Sequence, residues 1–306
     1  MSVNKDTLLK NLCVPEGEVD VVFDSDTYNE MDDQFALVYL LKSKEKLHLK
    51  ALYAAPYYNS RSSSPADGME KSYREQLHIL ELTGNEELKS VTFKGSDRYL
   101  PDEKTPVVSD AANDLAKRAM EYSPEKPLYV IAIGAITNVA SALLINPEIA
   151  DRIVVVWLGG HALHFNETGE FNMVQDIAAA RVVMLHAPVV QLPCAGVVDR
   201  FHFSVYDFEH YLKGKNEICD YLYKTAMENA PNEEYLKTHA YSKVVWDVTA
   251  VAFLLNDGDR FMKYRVVPLH IPTYDKHYRE EFSGLMGYVY RINVEALATD
   301  LFGKVS

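Results

Sequence analysis

The feature that most constrains the fold is a series of short, almost purely apolar segments that are separated by helix-like segments. Strands are predicted at residues 19–23, 48–55, 128–133 (LYVIAI), 153–158 (IVVVWL) and 189–192. Strands that are apolar on both faces are typical of a parallel sheet with helices on either side. The pattern therefore predicts an α/β fold with a mostly parallel central sheet flanked by helices. In such sheets, ligands bind beyond the carboxyl ends of the strands.

The rest of the chain is compatible with a single unit. Helices are predicted at residues 34–42, 66–83, 110–121, 138–144 and 177–185, and a late strand pair around 264–270 and 287–292. Neither a repeat nor a linker divides the sequence, and 306 residues can bury a sizeable core. We therefore expect one α/β domain over residues 1–306.

Composition argues against several classes of function. The net charge of −13 disfavours a nucleic-acid partner. No apolar stretch approaches the ~20 residues of a membrane span, and the N-terminal segment lacks the apolar region of a signal peptide. Cys13, Cys194 and Cys219 are odd in number and widely spaced, which is typical of reduced thiols. We expect a cytoplasmic protein with no membrane partner.

Four aspartates near the start are the first candidate site. Asp24 and Asp26 follow the first predicted strand, and Asp32 and Asp33 begin the next helix. Four carboxylates this close raise one another's pKa unless a cation is present. An all-oxygen ligand set is typical of Ca²⁺ or Mg²⁺. The alternative is helix capping with a solvated acidic turn, although a cap needs only one carboxylate.

Two glycine-containing turns follow later strands. The turn 134–138 (GAITN) leaves the backbone carbonyls of Ala132 and Ile133 free, and a carbonyl is a suitable calcium ligand. On its own, this turn is better explained as an ordinary strand-to-helix connection with Thr137 as the N-cap. The turn 158–161 (LGGH) allows either close approach to a ligand or simply a tight turn.

Further polar residues occur in the second half of the chain. Glu170 and Asn172 share a side if their segment is extended, and a carboxylate beside an amide suits neighbouring sugar hydroxyls. Asp247 begins an apolar helical run, where capping is the default role, and Trp246 is either a core residue or a platform for a flat ring. A structural role is favoured for each candidate histidine taken alone, at positions 161, 164, 202 and 239.

Two known motifs are partly similar to the aspartate cluster. A calcium-binding EF-hand loop needs glycine and glutamate where this chain has Asn29 and Phe35, so it is excluded. The phosphatase motif DxDx[TV] of the haloacid dehalogenases is nearer, but Tyr28 stands where threonine or valine belongs. A magnesium-dependent phosphatase with Asp24 as nucleophile therefore remains a weaker alternative.

Together, the clusters resemble the nucleoside hydrolase family of the inosine–uridine-preferring type. The family's motifs occur in order as DSDTYNEMDD, GAITN, LGG, EFN and WD, over residues 19–255. The resemblance implies calcium-dependent hydrolysis of the N-glycosidic bond of ribonucleosides to ribose and free base. The transition state of such a reaction has oxocarbenium character, which nearby carboxylates stabilise.

The resemblance also implies a role for each matching residue. Asp26 resembles the metal-bound general base, and Asp24 a supporting residue. The implied Ca²⁺ ligands are Asp26, Asp33, Asp247 and the carbonyl of Ile133. The implied substrate-binding residues are Asp32, Asn59, Glu170, Asn172 and Trp246.

The chain departs from the family pattern in several places. Five residues separate Asp26 from Asp32, where the family has three, and the asparagine that often precedes EFN is absent unless Asn166 supplies it. The two family histidines that serve pyrimidine leaving groups have no counterpart, and Trp246 replaces one of them. The purine-preferring branch of the family has tryptophan at that position, so the resemblance implies a preference for purine nucleosides. A non-catalytic ribose or nucleoside binder on the same scaffold is the main alternative, and a dimer or tetramer is compatible with the family.

Overall fold

The computed structural model describes residues 4–165 and 167–306, so Asn166 lies outside the described residues. Its strands are β1 (Val19–Ser25), β2 (Leu47–Ala54), β3 (Thr92–Lys94), β4 (Leu128–Ala132), β5 (Ile153–Leu158), β6 (Val189–Leu192), β7 (His202–Ser204), β8 (Ser242–Val244), β9 (Met262–Pro272) and β10 (Tyr278–Ile292). Within the described residues, the main sheet has the order β3-β2-β1-β4-β5-β6-β10-β9, and β7 pairs with β8. Among the described strands of the main sheet, only β9 runs antiparallel to the strands before it, through its pairing with β10.

Helices cover both faces of this sheet. They are α1 (Lys5–Asn11), α2 (Asp32–Leu41), α3 (Pro65–Leu82), α4 (Asp110–Arg118), α5 (Thr137–Ile145), α6 (Phe171–Gln175), α7 (Ile177–His186), α8 (Val205–Leu212), α9 (Glu217–Glu228), α10 (Glu233–Leu236), α11 (Val248–Leu254) and α12 (Val294–Val305). The predicted fold class, a mostly parallel sheet flanked by helices, is confirmed.

The apolar core forms two layers, one on each face of the sheet. Side chains alternate along a strand, so Val21 and Phe23 pack into one layer and Val22 into the other. This two-sided burial is why the central strands are continuously apolar in sequence. The predicted strands 153–158 and 189–192 coincide with β5 and β6. Three strands, β3, β7 and β8, were not predicted because three residues are too few to show a period.

The register of the parallel strands brings their polar ends together. Asp24 on β1 lies opposite Ala132 on β4, and Ala132 lies opposite Trp157 on β5. The segments that follow these strands therefore leave the sheet at the same edge. Among the described helices, none combines the length and apolar character that crossing a membrane requires. The assignment of residues 1–306 to one domain stays a prediction.

Candidate active site

A cavity of about 240 Å³ opens at this edge of the sheet. Its volume is slightly below the roughly 300–1,000 Å³ range of drug-sized ligand pockets, so it suits a small molecule. Most of the residues singled out from the sequence line it: Asp26, Asp32, Asp33, Ile133, Glu170, Asn172, Trp246 and Asp247. Asp24 and Asn59 are not among the lining residues.

Three carboxyl groups converge in this cavity. One oxygen from each of Asp32, Asp33 and Asp247 lies within 4.8 Å of the other two, and all three residues are buried. Oxygens bound to one calcium ion lie about 2.3–2.6 Å from it, and so at most roughly 5 Å from one another. The donor set is therefore compatible with a hard divalent cation. Asp26 lines the same cavity but is not in this set of three.

Helix capping does not account for these carboxylates. Asp32 and Asp33 are in the first turn of α2, whose N-cap is Met31 and has no side-chain cap bond. Asp247 occupies the N-cap position of α11, yet its side chain makes no cap bond either. All three are buried, so the alternative of capping with a solvated acidic turn is wrong.

Hydrogen bonds fix some oxygens of the cluster and leave others unpartnered. Oδ2 of Asp32 accepts the backbone N–H of Trp246 at 2.7 Å and that of Asp247 at 3.3 Å. Asp33 accepts from the Ser25 hydroxyl at 3.1 Å. Within the described residues, Oδ1 of Asp32 and Oδ2 of Asp26 are buried without a hydrogen-bond partner. Buried polar atoms without partners are costly, and a cation or another ligand bound in the cavity would satisfy these two.

The electrostatics of the cluster also favour a cation. Burial, reinforced by the Asp33 carboxylate, raises the pKa of Asp26 well above its ordinary value. Burial and the Asp32 carboxylate raise the pKa of both Asp33 and Asp247. These carboxylates are therefore difficult to ionise together unless positive charge is present.

Asp24 lies behind the cavity and is fully buried. Its Oδ1 accepts a hydrogen bond from Nδ2 of Asn138 at 2.8 Å. Burial raises the pKa of Asp24 to about 7 despite this bond. Asn138 belongs to the GAITN turn, so this contact ties the turn to the end of β1. The expected N-cap role of Thr137 is wrong, because Ile136 occupies the N-cap and the Thr137 hydroxyl donates to Asp176 at 2.7 Å.

The segment containing Glu170 and Asn172 is not extended, because Asn172 belongs to α6. Glu170 is the N-cap of α6 and accepts the backbone N–H groups of Asn172 and Met173 at 2.8 and 2.9 Å. Asn172, inside this helix, donates from Nδ2 to the carbonyls of Ile133 at 3.2 Å and Leu158 at 3.1 Å. The helix thus brings both side chains to the cavity, and Asn172 contacts the carbonyl implied as a metal ligand.

Several lining residues were not assigned to the site from the sequence. Asn29 and Glu30 belong to the longer spacing inside the aspartate motif, and that insertion was the signal available for them. Asn59 is next to the cavity and donates from Nδ2 to Oδ1 of Asn29. His161 lines the cavity directly after the two glycines of the LGGH turn. Cys194 and Phe171 also line it.

The sequence is similar to those of known nucleoside hydrolases. The family model for inosine-uridine preferring nucleoside hydrolases matches residues 21–294. An inosine-uridine preferring nucleoside hydrolase from Leishmania major is 32% identical over 95 residues, which is 30% of this chain and 30% of that relative. This alignment therefore spans less than a third of the curated relative.

Solved structures share the fold at low sequence identity. A plant nucleoside hydrolase superposes with a TM-score of 0.72 at 19% identity, covering 94% of this chain and 98% of the other. A purine-preferring ribonucleoside hydrolase from Gardnerella vaginalis superposes with a TM-score of 0.70 at 20% identity, with the same coverage of 94% and 98%. Because the family match extends from residue 21 to residue 294, the protein belongs to the inosine-uridine preferring nucleoside hydrolase family.

Proposed function

We propose that this protein hydrolyses the N-glycosidic bond of ribonucleosides, with Ca²⁺ as cofactor and with purine nucleosides favoured. The observation that carries the proposal is the convergence of three buried carboxylates beside Asp26 in a small-molecule cavity of a family member. Asp33, Asp247, Asp26 and the carbonyl of Ile133 would hold the cation. When bound, Ca²⁺ would lower the pKa of a coordinated water and orient the ribose hydroxyls.

In this mechanism Asp26 accepts the proton of the attacking water as a general base. Its unpartnered Oδ2 is the oxygen available for that proton. Asp32 has one oxygen fixed by backbone N–H groups and a second that is free to accept from a ribose hydroxyl. The negative charge of these groups stabilises the positive charge that grows on the sugar in the transition state.

Glu170 and Asn172 would bind further hydroxyl groups. Glu170 accepts three backbone N–H groups, from Gly160, Asn172 and Met173. A carboxylate offers about four acceptor sites, and the Cys194 thiol beside Glu170 would compete with a sugar hydroxyl for the fourth. Fixing the ribose in this way reduces the entropy lost on reaching the transition state.

The preference for purines rests on Trp246, which is half-buried and lines the cavity. An indole ring in that position offers a stacking surface, and stacking on an aromatic side chain contributes about 1–3 kcal/mol per base in other nucleobase sites. The name of the Gardnerella vaginalis relative, a purine-preferring ribonucleoside hydrolase, supports the same choice.

A turnover assay tests the proposal. Purified protein is incubated with inosine, adenosine, guanosine and uridine, and free ribose is measured with and without a chelator. We expect ribose release from purine nucleosides that stops on chelation and returns with Ca²⁺. Asp26→Asn should abolish turnover, whereas Asp97→Asn, an exposed aspartate outside the cavity, should not. If protein with confirmed bound metal releases no ribose from any of these nucleosides, the proposed nucleoside hydrolase activity is refuted.

The two alternatives make different predictions. A non-catalytic binder would bind nucleosides without releasing ribose, and Asp26→Asn would change only its affinity for metal. A phosphatase needs Asp24 as an accessible nucleophile, and Asp24 is fully buried and outside the cavity lining. Nucleoside hydrolysis is therefore preferred over phosphate transfer.

We also propose that the protein acts in the cytoplasm and forms a dimer or tetramer. The first proposal is supported by the free thiols of Cys13, Cys194 and Cys219. The second rests on the family resemblance alone. Light scattering on the purified protein measures the oligomeric state, and a monomer at all concentrations would refute it.

A further inference from the structure

Hydrolysis of a nucleoside needs a group that stabilises the departing base, and the carboxylate cluster does not supply one. Among residues 4–165 and 167–306, His161 is the histidine that lines the cavity. It follows Gly159 and Gly160, directly after β5. Its side chain is 20% exposed, whereas Asp26, Asp32 and Asp33 are buried. The imidazole ring is therefore more accessible to solvent than these three carboxylates.

The backbone around His161 is fixed from two directions. The N–H of Gly160 donates to Oε2 of Glu170 at 2.8 Å, and the hydroxyl of Tyr278 donates to the carbonyl of His161 at 2.9 Å. Gly160 has φ = 75°, and a Cβ there would lie 2.1 Å from the Tyr278 hydroxyl, so glycine is required. The position of His161 is thus coupled to Glu170, a proposed ribose-binding residue.

The surroundings of the ring favour its neutral form with the proton on Nε2. Nδ1 faces the backbone N–H of Ala195 at 3.4 Å, which needs an acceptor there. Burial lowers the pKa of His161, and the neighbouring carboxylates of Glu167 and Asp199 oppose this only in part. Nε2 is 3.8 Å from Oε1 of the exposed Glu167, too far for a hydrogen bond. The Nε2–H donor is therefore available to a ligand.

We propose that His161 donates a hydrogen bond from Nε2 to the leaving base and so stabilises the charge that develops on it. This inference rests on the proposed function. As the C1′–N bond breaks, its electron pair moves onto the base, whose ring nitrogen accepts the Nε2–H bond. Water supplies the oxygen that bonds to C1′ and gives one proton to Asp26. The base takes its proton from solvent, Asp26 returns its proton to solvent, and His161 stays neutral throughout.

Neutral imidazole is suited to this role because it donates without being consumed. A histidine whose pKa is lowered so that imidazole acts as the electrophile is a known arrangement in enzymes. Removing one donor aimed at developing charge reduces kcat by about 10²–10³-fold in other enzymes. The effect should be largest for a poor leaving group and small for one that needs no stabilisation.

Two variants separate hydrogen-bond donation from packing. His161→Phe keeps a ring of similar size without an N–H, and His161→Gln keeps an N–H donor without the ring. His164→Phe is the matched control, because His164 is in the same loop but is not among the cavity-lining residues. Each variant is assayed with inosine and with 4-nitrophenyl β-D-ribofuranoside, whose nitrophenolate leaves without assistance. Circular dichroism and thermal unfolding confirm that each variant is folded.

We expect His161→Phe to lose about 10²-fold in kcat on inosine and less than about 3-fold on the nitrophenyl riboside. His161→Gln should recover part of the loss on inosine, and His164→Phe should match the wild type on both substrates. An equal loss on both substrates, or no loss on inosine, would overturn the role of His161. If the wild type cleaves neither riboside, the proposed function itself fails and this inference fails with it.

Discussion

Replacing Gly134 by alanine tests how closely the GAITN turn packs against the proposed general base. A Cβ on Gly134 would lie 2.8 Å from Oδ1 of Asp26 and 3.1 Å from its backbone nitrogen. Carbon–oxygen contacts of about 3.3–3.6 Å are ordinary in proteins. The Asp26 carboxylate must therefore move by roughly 0.5 Å or more. Gly134 is not among the glycines with positive φ, so this contact and not backbone strain is the cause.

The size of the effect follows from that displacement. A misplacement of about 1 Å costs roughly 10²-fold in rate, so half of that distance should cost about tenfold. Inserting a methyl group into a closely packed site also lowers the free energy of unfolding by about 1–3 kcal/mol. We expect Gly134→Ala to remain folded and to show a kcat for inosine about tenfold below the wild type.

Gly303→Ala is the matched control for this experiment. Gly303 is in α12, and a Cβ there meets no described atom within 4 Å. Alanine is favoured over glycine in a helix by about 1 kcal/mol, so this variant should be at least as stable as the wild type and fully active. Steady-state kinetics and urea unfolding measure both properties. A folded Gly134→Ala variant with kcat within twofold of the wild type would refute the argument from packing.

Three further predictions concern the cation and the sugar. Asp247→Asn should weaken Ca²⁺ binding at least tenfold in calorimetry, because Asp247 is one of the three converging carboxylates. Asp97→Asn should leave the affinity unchanged, because Asp97 is not one of the three. Equal affinities of the two variants would contradict the metal site. Metal-free protein should lose stability as pH rises from about 4 to about 7. Burial raises the pKa of Asp24 to about 7 and raises the pKa of Asp26 and Asp33 above its ordinary value. Ionisation of these aspartates therefore favours the unfolded chain. Thermal unfolding should accordingly show a gain from Ca²⁺ that grows with pH, and a metal-free stability that increases over this range would refute the sign. Asn29→Ala should raise KM by about 2–10-fold, as expected for one lost hydrogen bond. Asn59→Ala should raise KM little further in the Asn29→Ala background, because Asn59 acts through its hydrogen bond to Asn29. Additive increases in KM would mean that Asn59 contacts the substrate itself.

Local sequence determined the fold class and the first half of the site. The central strands are apolar on both faces because both faces are buried, and this pattern is visible without any tertiary information. Asp24, Asp26, Asp32 and Asp33 are close in sequence, so their proximity in space followed directly. The family motifs added Glu170, Asn172, Trp246 and Asp247 in the correct order, and all four line the cavity.

Long-range packing decided the rest. Asp32 and the backbone N–H of Trp246 are 214 residues apart, and only the tertiary structure brings them within 2.7 Å. Asn29, inside the longer aspartate motif, lines the cavity, whereas Asn59 does not line it and donates to Asn29 instead. Sequence spacing alone does not show which of these two side chains reaches the cavity. The sequence likewise offered no reason to prefer His161 over the other candidate histidines, and the tertiary structure shows that it lines the cavity. Periodicity reports which face of an element is buried, but the distance between side chains on different elements depends on how those elements pack.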